Sequence, residues 1–111
     1  MTSPIEDAEF IPVNERDYQI GETGTPLAVL KTGWLFSCLA FYGRDHAKGV
    51  SFLCHLDWGN LGMDPMIDEL KKSERLKDPN TNIADLSGFE LYVTSGLNWL
   101  TRVICVLVLV V

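Results

Sequence analysis

Basic clusters, membrane-length apolar runs and paired cysteines are all missing from this chain, and each absence removes a class of function. The 111 residues carry 9 Lys and Arg against 15 Asp and Glu, for a formal net charge of −6 and a sequence pI near 4.7. No Lys/Arg cluster interrupts that acidity, so neither nucleic acid nor an anionic membrane is an expected partner. The closing run "VICVLVLVV" has nine apolar residues, where a membrane-spanning helix needs roughly 20. Rich in β-branched residues and preceded by Thr101 and Arg102, it reads as a buried strand. The opening "MTSPIEDAEF" lacks the basic and apolar segments of a secretory signal, so a cytoplasmic location is expected.

The three cysteines, Cys38, Cys54 and Cys105, are odd in number and without C-x-x-C spacing. That pattern excludes a disulfide framework and a closed zinc site, and no metal is expected. The motifs G-x-x-x-x-G-K-[ST], G-x-G-x-x-G and H-E-x-x-H are also absent, which removes nucleotide and zinc-protease readings. No cofactor is expected.

What is present is the composition of a folded domain, 47% hydrophobic and 22% charged. The length suits a single domain over 1–111 with an irregular N-terminal arm at about 1–17, where Pro4 and Pro12 stand among acidic residues. "YQIGETGTP" supplies turn residues, and "LAVLKT" (27–32) reads as the first core strand. "LFSCLAFYG" (35–43) and "VSFLCHLDW" (50–58), joined by "RDHAKG" (44–49), form an expected hairpin. Asp64 is placed to cap a helix with Pro65 at its first position and Met66, Ile67 and Leu70 on one face, running to about Leu76. "GFELYVT" (88–94) alternates as a strand, and "SGLNWLTR" (95–102) suits one or two helical turns before the terminal strand. The order predicts an α+β domain of mixed or antiparallel, sandwich-like sheets with helices packed outside.

Alternation puts Ser51, Leu53, His55 and Asp57 on the more polar face of the second hairpin strand, and Val50, Phe52, Cys54 and Leu56 on the apolar one. On the first strand Phe36, Cys38, Ala40 and Tyr42 share a side. If both sides point into one cleft, a register that the sequence does not fix, Cys38 and His55 are a candidate nucleophile and base: a thiol is largely protonated at neutral pH and needs a base beside it, and imidazole titrates in the right range. Cys38 is expected to be the accessible thiol, with Cys54 and Cys105 in the core. His46 falls in the polar turn and reads as solvated. Asp57 is either an acceptor for His55 or part of a "DWGN" turn, with the turn favoured. Trp34, Trp58 and Trp99 are core, rim or cleft aromatics.

The segment "VLKTGWLFSCLAFYGRDHAKGVSFLCHLD" resembles the core of the chemoreceptor glutamine deamidase (CheD) family and, more distantly, the catalytic core of the cytotoxic necrotizing factor toxins. An apolar strand ends in Thr32, Ser37-Cys38 leads into a second strand, and a strand containing Gly49 at its start ends in His55. The intervals, six residues from Thr32 to Cys38 and seventeen from Cys38 to His55, match the family pattern. With "IGE" upstream and "MIDEL" downstream, the resemblance covers about half of the chain. It implies Cys38 as nucleophile, His55 as base, Thr32 as the residue that orients or polarises the site, and a glutamine side chain in a protein as substrate. Where the family has glycines before Ser-Cys this chain has "GWLF", so Trp34, Phe36 and Ser37 are expected to shape the substrate cleft. The rival expectation is a non-catalytic binding module on the same fold, forming a homo-oligomer through edge pairing of the C-terminal strand.

Overall fold

The computed structural model describes residues 8–24, 27–33, 38–56, 63–95 and 106–110. Expectations that fall on Trp34, Phe36, Ser37, Asp57, Trp58, Trp99, Cys105 and the 96–102 segment lie outside the described residues. The architecture is α+β, as the element order predicts: two β-sheets, parallel and antiparallel pairings together, and a single described α-helix. Among the described residues no helix is long and apolar enough to cross a membrane.

One sheet orders its strands β1 (Glu9–Pro12), β3 (Ala28–Thr32), β7 (Val106–Val110). The other orders β2 (Tyr18–Glu22), β5 (Val50–Leu56), β4 (Leu39–Asp45), β6 (Glu90–Ser95). β1 runs parallel to β3 and all remaining pairs are antiparallel. The sheets meet face to face: Leu30, Val108 and Val110 from the first pack with Ala40 and Leu53 from the second, joined by Val13 and Cys38. The opposite face of the second sheet, Val50, Phe52, Cys54 and Leu56, is covered by Met66 and Leu70 of α1 (Asp64–Lys71) and by Leu76.

Several sequence expectations are corrected. The arm at 1–17 is not irregular throughout, because Glu9–Pro12 adds to β3 in parallel; Pro12 is tolerated because the strand lies at a sheet edge. "YQIGE" is not a turn but β2, paired with β5. Its glycine is a matter of space, since a Cβ at Gly21 would lie 2.7 Å from Val110 Cγ2 on the facing sheet. The hairpin connection shortens to residues 46–49, because Arg44 and Asp45 still pair with β5. Gly49 closes that turn at φ +70°, a conformation glycine adopts without steric cost, with its N–H donating to the Asp45 carbonyl. His46 is exposed there, as expected.

The helix is capped at Met63, with Asp64 inside its first turn, and it stops at Lys71 rather than near Leu76. Ser73 turns extended and a short 3-10 turn, Glu74–Leu76, drives Leu76 into the core with no exposed surface. A continuous helix would advance Leu76 along the helix axis instead of down onto the sheet.

Candidate functional site: a threonine–histidine pair beside a cysteine

The site forms where the chain passes from one sheet to the other. After β1, residues 13–17 leave the first sheet and enter β2 of the second, hydrogen bonding to both. Val13 N–H donates to the Lys31 carbonyl (2.8 Å), Arg16 N–H to the His55 carbonyl (2.9 Å), and His55 N–H to the Asp17 carbonyl (3.0 Å). Arg16 takes φ +63°, a left-handed conformation uncommon outside glycine and often met at functional sites. The crossing strap thus fixes the backbone of His55 and supplies a carbonyl, that of Val13, to the space between the sheets.

Thr32 ends β3 and His55 lies one residue before the end of β5; both are buried, at 3% and 4% exposure. Thr32 Oγ1 donates to the Val13 carbonyl at 2.8 Å and lies 2.7 Å from His55 Nδ1. A hydroxyl has one proton. With that proton committed to Val13, Oγ1 accepts from Nδ1–H, so in the neutral imidazole the proton sits on Nδ1 and Nε2 carries the lone pair. The two sheets together therefore orient the ring and set its tautomer, the usual requirement for a histidine that acts as a base.

The β4–β5 register pairs Ala40 with His55. Cys38, two positions before Ala40, shares its face and joins the same inter-sheet core. That makes Cys38 the diagonal neighbour of His55, a position at which Cβ atoms lie on the order of 7 Å apart. Thr32, His55 and Cys38 are thus brought to one end of the sandwich interior. The "more polar" face of β5 proves to be this interior: Ser51, Leu53 and His55 are all buried. Its polarity is the consequence of placing His55 there, not of contact with solvent.

Cys38 is not the accessible thiol expected from the sequence; only 7% of it is exposed. It belongs to the buried cluster that includes Val13, Leu30, Val108 and Val110. Its Sγ donates to Glu15 Oε1 at 3.9 Å, a long contact with an exposed carboxylate on the crossing strap. No spacing or motif marks Glu15 in the sequence, and only the passage of 13–17 between sheets brings it to the sulfur. Cys54, in contrast, is a core thiol as expected: 2% exposed, packed on Met66, and pushed up to about 12 chiefly by burial, with Asp17 adding to the effect. Among the described residues no group of three or more His, Cys, Asp and Glu is arranged to hold a metal.

No family model, curated protein or solved structure matches the chain.

Proposed function

We propose that the protein is a cysteine hydrolase of the glutamine-deamidase kind, with Cys38 as nucleophile, His55 as base and Thr32 as the residue that orients the base. The observation that carries the reading is the geometry of the ring: Thr32 Oγ1 lies 2.8 Å from the Val13 carbonyl and 2.7 Å from His55 Nδ1, which holds the imidazole on the interior face of β5, the face whose core Cys38 joins. The spacing that resembles the deamidase family supplies the substrate class, a side-chain amide in a protein. An intracellular site of action suits a reduced nucleophilic thiol.

In the forward reaction Nε2 takes the Cys38 proton as Sγ attacks the amide carbon. The tetrahedral intermediate collapses as Nε2 returns that proton to the departing nitrogen, releasing ammonia and leaving a thioester. Water, deprotonated by Nε2, attacks the thioester carbon; carboxylate leaves and the proton restores the thiol. Thr32 holds the imidazolium through its hydroxyl oxygen in each half-reaction. Glu15 must give up its contact with the thiol before the proton can pass to His55.

Ammonia release from a panel of glutamine-bearing proteins tests the reading. It is expected in the wild type and absent from both Cys38→Ala and His55→Ala, with the double variant scarcely worse than either, since nucleophile and base act as a unit. Silence across the panel in the wild type would favour the alternative, a non-catalytic binding module on the same fold. That module would associate through its C-terminal strand.

A further inference from the structure

We propose that β6 is a self-pairing edge through which two copies of this chain join their second sheets. Among the described residues β6 is the outer strand of that sheet, paired with β4 on one side. Leu91, Tyr92 and Val93 are consecutive and 58%, 43% and 62% exposed. An edge strand of this kind offers unpaired backbone groups together with apolar side chains, and is ordinarily blunted by proline, lysine or a covering element. Two of the other three described edges have such protection, and the third, β7, turns Val108 and Val110 into the core between the sheets. β1 carries Pro12 and no donor there. Beside β2, Arg75 is ion-paired with Glu22 at 3.2 Å and donates to the Thr23 carbonyl at 2.8 Å, and Ser73 donates to Glu22 at 3.4 Å. β6, "ELYVTS", has neither proline nor lysine, and its one charged residue is Glu90.

The sequence of β6 selects a second copy as the occupant and fixes the register. An antiparallel pair with its two-fold at Tyr92 sets Leu91 against Val93 of the partner subunit, Val93 against the partner's Leu91, and Glu90 against the partner's Thr94. Faces are kept, so the Leu91/Val93 patches merge into one and the two Tyr92 rings meet on the other side. Tyr92 is already stacked on Tyr42, with centroids 5.3 Å apart and an 18° interplanar angle, and its hydroxyl donates to Glu90 at 2.8 Å. The ring is thus held for a cross-strand contact, and the carboxylate is drawn to its own ring. An in-register parallel pair, or an antiparallel one slipped to centre on Glu90, would place the two Glu90 carboxylates against each other, which is unfavourable.

Sedimentation velocity of the full chain over a range of concentrations tests this. A monomer–dimer equilibrium is expected. Val93→Lys should raise the dimer dissociation constant about tenfold or more, while Val93→Thr leaves it nearly unchanged; Val93 is chosen because Leu91 also lines an apolar cavity under α1. Under mild oxidation Tyr92→Cys should form a disulfide-linked dimer in excess of the wild type, and Thr94→Cys should not. A chain that stays monomeric, a dimer indifferent to Val93→Lys, or cross-linking at position 94 in place of 92 would overturn the proposal. None of these readouts depends on catalysis, so the dimer and the hydrolase stand or fall separately.

Discussion

Thr32 carries two bonds that no apolar isostere can replace. Thr32→Val keeps the volume but leaves the Val13 carbonyl and His55 Nδ1–H buried without their partner, a loss of about 1–3 kcal/mol. Thr32→Ser is expected to recover most of it; urea denaturation of the three proteins makes the comparison. Cys54 provides a second test at the same scale. Burial raises its thiol from an ordinary value of 9.0 to about 12, so the folded protein keeps a proton that the unfolded chain sheds above 9.0. Fewer protons are then bound by the unfolded state, and stability falls as pH rises. The contribution is complete below pH 9.0 and is lost progressively towards about 12. Urea midpoints measured from pH 8 upward should decline for the wild type and decline less for Cys54→Ala, which is less stable at neutral pH because it opens a cavity beside Met66.

At the scale of elements, the approach of β2 to β7 is set by a missing side chain. Gly21→Ala would press a methyl group into Val110, which is fully buried, at a cost of about 1–3 kcal/mol. The cost should shrink when Val110→Ala is already present, and a thermal-denaturation double-mutant cycle would read that coupling. Such contacts also explain what could be read in advance. The hairpin of β4 and β5 was legible because alternation assigns each residue a face, but whether Cys38 and His55 share a side was not, since that depends on a register only the β4–β5 pairing supplies. β1 and β2 were not legible: each is short, β1 holds Pro12 and β2 holds Gly21, and both exist through pairing with strands distant in sequence. The end of α1 was hidden because "KKSERL" contains no glycine or proline stop, and the break comes from the need to seat Leu76. Thr32 became a candidate only through the family resemblance, since its bond to His55 crosses between sheets. Glu15 gave no signal because its position beside Cys38 depends on the route of the strap.

For the whole molecule, the site exists only when the sandwich is closed. Thr32 comes from one sheet, His55 and Cys38 come from the other, and the 13–17 strap ties them. The central claim is that Cys38 and His55 act as one unit within this closed interface, and it can be tested without knowing the substrate. The measurement is the rate of iodoacetamide labelling at Cys38, resolved by peptide mapping at neutral pH, in the wild type and in His55→Gln, which retains side-chain bulk but cannot act as a base. The expected result is faster labelling at Cys38 than at Cys54, and a fall of about tenfold at Cys38 in His55→Gln, as thiolate formation loses its base. Equal rates at Cys38 in the two proteins would contradict the claim and leave its thiol a member of the core.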